Sequence, residues 1–315
     1  MPSLIHCSAC GYVATAPTIT KCPHDGTDLV NPIESDRALS AEYEVLRCIG
    51  AGGMGVIFKC QRRKDGKLVA IKMLHPHLAE DEESMSRFEI ELRAVCLLSH
   101  PNIIVIHDLG VADSGVPYMV MDFVDGKDLL DTLSKEGPMA QDRFLNIFTQ
   151  VCGAMAHAHE RSILHRDIKP DNIMLTRNER GREVVRLMDF GIARLLTDSA
   201  RGVARLTKPG QAVGSPMYMS PEQARGKEID HRSDLYSLGL VMYETLTGMP
   251  AFQGETVYKT LVMQLTEKPK PMSAHRMGID PRLEAIVTRL TEKAPDSRYQ
   301  SMLDVQRDLE LIRSW

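Results

Sequence analysis

A chain of 315 residues exceeds a typical single domain, so one large two-lobed domain or two ordinary ones is expected. Hydrophobic residues at 43% and charged residues at 25% are ordinary soluble composition, and no run approaches the uninterrupted apolar length of a membrane helix. A formal net charge of −4 gives no electrostatic reason to expect nucleic acid as the main partner, though local basic groups would still suffice for a polyphosphate.

The opening MPSLIHCSAC has no basic segment followed by an apolar core, so no secretory leader is expected. Cys48, Cys60, Cys96 and Cys152 lie singly in apolar-patterned segments and read as small buried hydrophobes in a reducing, cytoplasmic compartment. Residues 1–30 differ in texture, with three cysteines, two histidines and few large apolar groups. Cys7-Ser8-Ala9-Cys10-Gly11 and Cys22-Pro23-His24-Asp25-Gly26 look like two matching knuckles, which fits a small structural zinc ribbon. Cys7, Cys10 and Cys22 would be thiolate ligands, with Asp25 in the fourth place by symmetry and His24 one position out of register. The bland alternative is a metal-free tail with incidental thiols. Such a module would serve regulation or the docking of a protein partner. Its mixed charges and lack of an aromatic cluster speak against nucleic acid.

Residues 31–42 are polar with a proline and read as a linker. From Tyr43 the pattern becomes regular. Three strands follow to residue 73, the last two joined by a hairpin at Asp65-Gly66. Residues 84–99 read as a helix ended by His100-Pro101, and 103–111 and 117–124 as two more strands. Beyond them, 143–160, 233–248, 281–293 and 301–312 carry the apolar spacing of helices. A β-rich first part and a helical second part predict an α+β protein with two lobes.

Between the first two strands lies Gly50-Ala51-Gly52-Gly53-Met54-Gly55, a turn able to lay peptide N–H groups over phosphates. Alone it is an ordinary hairpin. Val69-Ala70-Ile71-Lys72 follows, and a lysine on a half-buried strand needs a partner. Glu91, on the polar side of the next helix, is the candidate.

Further on, His165-Arg166-Asp167-Ile168-Lys169-Pro170-Asp171-Asn172 is followed by Asp189-Phe190-Gly191. With the glycine turn and Lys72, this stretch resembles the eukaryotic-like serine/threonine protein kinases, bacterial branch, over roughly residues 43–303. The resemblance implies a two-lobed kinase fold: a five-stranded β lobe with one main helix and hinge (43–124), then a larger, mostly helical lobe (125–315). It implies ATP and Mg²⁺ as ligands and protein serine or threonine hydroxyls as acceptors. Lys72, held by Glu91, would bind the α- and β-phosphates. Asn172 and Asp189 would supply hard oxygens to Mg²⁺. Asp167 would take the substrate hydroxyl's proton, and Lys169 would neutralise the γ-phosphoryl charge. Ile49, Gly50, Gly52, Gly55, Ile57, Ala70, Met121 and Met174 would surround the nucleotide, with backbone groups of Phe123 and Val124 at the adenine edge.

The roughly thirty polar residues before Ser220-Pro221-Glu222 resemble an activation loop, with Thr197, Ser199 and Thr207 as candidate autophosphorylation sites for Arg166 to grip. Ser215 stands where a threonine is usual and keeps the hydroxyl expected to bond Asp167 or Lys169. Glu222 is expected to pair with Arg298, and Asp234 to brace the catalytic loop. The runner-up readings are a pseudokinase scaffold and a small-molecule kinase. A complete Lys72, Glu91, Asp167, Asn172 and Asp189 set opposes the first. The peptide-platform segments Gly214–Tyr218 and Ser220–Glu222 oppose the second.

Overall fold

The computed structural model describes residues 21–24, 26–28, 31–52, 55–75, 92–190 and 215–313. The chain divides into two units. One holds the described residues up to Leu97 with Val105–Phe123, and the other holds Leu98–Ile104 with the described residues from Val124 on.

In the first unit a short helix α1 (Arg37–Glu42) leads into β1 (Tyr43–Gly52), β2 (Gly55–Arg62), β3 (Leu68–Leu74), β4 (Ile106–Val111) and β5 (Pro117–Asp122). They form one antiparallel sheet in the order β1-β2-β3-β5-β4. Strand β3 is central, and every residue after Leu68 is buried. Because side chains alternate along a strand, Val69, Ile71 and Met73 share one face and Ala70 and Lys72 the other. The first face packs with Val56, Phe58, Cys60 and Val120 into the unit's core. Residues 92–96 are helical, and the rest of the helix expected over 84–99, Glu91 included, lies outside the described residues.

Residues 31–42, expected as a linker, instead join this core. Ile33 is fully buried against it, beside Leu39 and Tyr43. Asn31 Oδ1 accepts from the Ile33 N–H at 3.1 Å, closing a turn that aims the isoleucine inward. Asp36 caps α1 by accepting from the Leu39 N–H at 2.7 Å, and its other oxygen accepts from the Asp113 N–H at 2.6 Å.

The second unit carries a small sheet β6-β7-β8 (Gly126–Asp128, Ile173–Arg177, Glu183–Leu187). Its helices are α2 (Leu129–Glu136), α3 (Gln141–His159), α4 (Pro221–Ala224), α5 (His231–Thr247), α6 (Val257–Thr266), α7 (Pro281–Leu290) and α8 (Met302–Arg313). Helix α5 is buried almost all round, as an apolar helix at the centre of a domain must be. Asp230 caps its start and Gly248, at φ 74°, ends it in the left-handed conformation glycine favours. Ile103 and Ile104, expected to open a strand, belong to this unit instead: Ile103 bridges Leu187, and the Ile104 N–H donates to the Leu187 carbonyl at 2.9 Å. No helix among the described residues is long and apolar enough to cross a membrane.

Candidate active site

The sheet register groups the candidate nucleotide residues of the first unit. Lys72 pairs with Ile57 on one side and Met119 on the other, while Ala70 pairs with Lys59 and Met121. Residues directly opposite in a sheet point the same way, so Ile57, Ala70, Lys72 and Met121 share the face opposite the core. Lys72 is only 4% exposed. Gly50 pairs with Ile57, and a register shift between Cys48 and Gly50 sets Ile49 apart on the strand. Gly55 pairs with Gly52 and with Leu74. A Cβ at Gly55 would stand 2.0 Å from the Met73 carbonyl oxygen, so only glycine lets β2 pass that close to β3. Phe123, whose ring carries the Lys59 ammonium 4.1 Å from its centroid, is the last residue of this unit, and Val124 opens the next.

The second unit assembles the catalytic stretch. Lys169 Nζ lies 2.8 Å from Asp167 Oδ2. Burial opposes the lysine's charge, but the Asp167 carboxylate outweighs it and holds the ammonium above its ordinary range. Asn172 Nδ2 donates to the Asp167 carbonyl at 2.8 Å and to Oδ2 at 3.2 Å. That leaves its oxygen, Oδ1, as the remaining polar atom of the amide. The Met188 N–H, one residue before Asp189, donates to the Asn172 carbonyl at 3.0 Å. Met174 sits on β7 between the buried Ile173 and Leu175, on the opposite face of the strand.

This stretch is braced from α5. The Asp234 carboxylate accepts from the His165 and Arg166 N–H groups, each at 2.8 Å, and from His159 Nε2 at 2.8 Å. Burial works against its ionisation, but those donors prevail and keep its carboxyl below the usual range. His165 is fully buried and stacks on Phe190 with centroids 4.6 Å apart. The expected pair of Glu222 and Arg298 is bidentate, at 2.7 and 2.9 Å, and Ser233 adds a hydroxyl at 2.6 Å. The expected bond from the Ser215 hydroxyl to Asp167 or Lys169 is not formed among the described residues; Lys169 and Asn172 take the Asp167 carboxylate between them. Instead, the same segment is anchored by Tyr218, whose hydroxyl donates to Glu244 Oε2 at 2.5 Å.

Cys7, Cys10, Asp25 and the loop holding Thr197, Ser199 and Thr207 lie outside the described residues. Of the zinc candidates Cys22 is described. It is buried in a tight turn where the Gly26 N–H donates to its carbonyl at 2.9 Å and the His24 N–H to its Sγ at 3.4 Å. No group of three or more potential metal ligands occurs among the described residues.

A glycine turn feeding a buried strand lysine in one unit, and an aspartate bonded to a lysine and an asparagine on a braced loop in the other, are the residue types that phosphoryl-transfer chemistry calls for. Residues 43–308 match the protein kinase domain family, and the chain belongs to it. It is 37% identical over 278 residues to serine/threonine-protein kinase pkn3 of Myxococcus xanthus, covering 88% of this chain and 51% of that protein. With serine/threonine-protein kinase PknB of Mycobacterium tuberculosis the identity is 38% over 279 residues, or 88% of this chain and 44% of PknB. Among solved structures, the kinase domain of M. tuberculosis PknI superposes with a TM-score of 0.69 at 29% identity, covering 87% of this chain and 97% of that one. The chain spans about half the length of the curated relatives it matches.

Proposed function

We propose that this chain is an ATP-dependent serine/threonine protein kinase that transfers the γ-phosphoryl group to hydroxyls of protein substrates and to its own loop. The reading rests first on Asp167, whose carboxylate is held by Lys169 at 2.8 Å and by Asn172 at 3.2 Å. Phosphoryl transfer needs positioning and charge neutralisation more than covalent chemistry. Asp167 orients the acceptor hydroxyl and takes its proton. Lys169 stays cationic beside it and offsets charge on the transferred group. Lys72 contributes a second buried cation for the α- and β-phosphates, and Glu91 is its proposed partner. Ile49, Gly50, Gly52, Gly55, Ile57, Ala70, Met121 and Met174 line the nucleotide, with Phe123 and Val124 at the adenine edge.

Magnesium suits the donor set: Oδ1 of Asn172 and the carboxylate of Asp189 are hard oxygens, the type this ion takes together with phosphate and water. When bound it would neutralise the phosphate oxygens. We further propose a structural zinc in the N-terminal segment, with Cys22, whose Sγ accepts the His24 N–H at 3.4 Å, as one of its ligands. Cys7, Cys10 and Asp25 would complete the set. With zinc bound the segment would serve regulation or the docking of a protein partner, in a cytoplasmic protein. Elemental analysis of the purified chain should return one zinc per molecule, and none would end the zinc reading.

The test of the kinase reading is mass spectrometry after incubation with Mg-ATP and a generic acceptor protein. Phosphate should appear on serine and threonine, including positions within 191–214, and should be absent with Lys72→Met. An unmodified acceptor and loop in the native sample would leave a nucleotide-binding scaffold as the better reading.

A further inference from the structure

We propose that Gln223 is a positioning residue for phosphoryl transfer, holding the peptide that leads into Asp167; this rests on the kinase reading above. Its side chain is buried where the chain enters α4. One end of the amide serves its own helix: Oε1 accepts from the Ser220 N–H at 2.9 Å, while Ser220 Oγ accepts from the Gln223 N–H at 3.2 Å. The other end leaves the helix. Nε2 donates to the Arg166 carbonyl at 3.0 Å.

That carbonyl belongs to the peptide joining Arg166 to Asp167. Its N–H, on Asp167, donates to the His165 carbonyl at 2.8 Å. Arg166 sits at φ 63°, a conformation a side-chain-bearing residue adopts only when its surroundings hold it there. Asp234 grips the Arg166 N–H and Gln223 grips its carbonyl, so the strained residue is clamped on both sides by different helices. Rotating that peptide would swing Asp167 away from Lys169 and Asn172. The amide accepts from Ser220 through its oxygen and donates to Arg166 through its nitrogen, which an ionised carboxylate or an apolar side chain cannot do. Gln223 follows Glu222, and its helix directly continues the Ser215–Ser220 segment. The placement of that segment therefore sets the aim of the Asp167 carboxylate.

The experiment compares the native chain with Gln223→Glu, Gln223→Met and, as a cap-removal control away from the site, Thr256→Ala at the start of α6 in steady-state phosphorylation of one acceptor protein. Nucleotide affinity is measured by equilibrium titration and thermal stability by melting. Gln223→Glu keeps the acceptor for Ser220 and replaces the donor with a carboxylate oxygen that repels the Arg166 carbonyl; Gln223→Met removes the donor without adding charge should the carboxylate variant fail to fold. We expect kcat to fall roughly tenfold to a hundredfold in both, the scale of a small misplacement of a reacting group, with KM for ATP and nucleotide affinity unchanged. Thr256→Ala, which removes the cap of α6 alone, should retain native kcat. A native kcat in the Gln223 variants, or an equal fall in Thr256→Ala, would overturn the proposal. An inactive native chain would instead overturn the kinase reading.

Discussion

Glu222 and Arg298 show how a single buried pair is maintained. Arg298 is 1% exposed and donates both to the carboxylate and to the carbonyls of Glu292, Arg232 and Lys293. Burial alone would raise the Glu222 pKa, but Arg298 and Ser233 outweigh it and lower the value below its ordinary 4.5. A depressed carboxyl contributes stability that is complete above the unfolded pKa and is lost as pH falls through the folded one. Glu222→Gln should therefore lose about 3–5 kcal/mol in urea unfolding at neutral pH, because Arg298 is left buried without its counter-charge. The gap between variant and native should narrow as the pH is taken below about 4. A variant as stable as the native chain at pH 7 would contradict this account. The pair itself was legible in the sequence through family resemblance. Gln223 was not, because its partner Arg166 lies 57 residues away and only the fold brings them together. The Ser-x-x-Gln spacing of a capping box was the available signal, and it foretells the helix start, not the second bond.

Among elements, the strap at 31–42 departs furthest from its expected role. It lies just before the residues that match the kinase family, yet Ile33 has no exposed surface. Its sequence concealed this because Ile33 and Leu39, the large aliphatic residues of the stretch, are too few to show a periodicity. Helix α6 and strand β8 were missed for related reasons. Five residues are too few to reveal a pattern, and α6 buries only Thr260 and Gln264, both polar. The β1–β3 strands and the long helices α3 and α5 were readable because their apolar residues recur over many turns or alternations. Ile33→Ala should cost about 2–5 kcal/mol, the usual range for emptying a packed aliphatic site. Asp36→Ala should cost about 0.5–2 kcal/mol for the lost cap. Chemical denaturation checks both. An Ile33→Ala midpoint equal to native would mean that the strap contributes nothing to the unit's stability.

For the whole molecule, chemistry was more legible than architecture. The residues proposed to handle a triphosphate fall in short local runs, so their types and order survive reading along one dimension. What supports them does not. Asp234 reaches back 69 residues to the His165 N–H, and the Tyr218–Glu244 and Gln223–Arg166 bonds tie the Ser215–Ala224 segment to helix and loop. These contacts hold Asp167 where Lys169 and Asn172 meet it. The most direct test of the central claim is single-turnover transfer from γ-labelled ATP, with bound nucleotide measured in the same samples of native chain and Asp167→Asn. Both should bind nucleotide, and the native chain should move label to serine or threonine about 10²–10⁴ times faster. Equal transfer by the two, or nucleotide bound by the native chain with all label left on ATP, would contradict it.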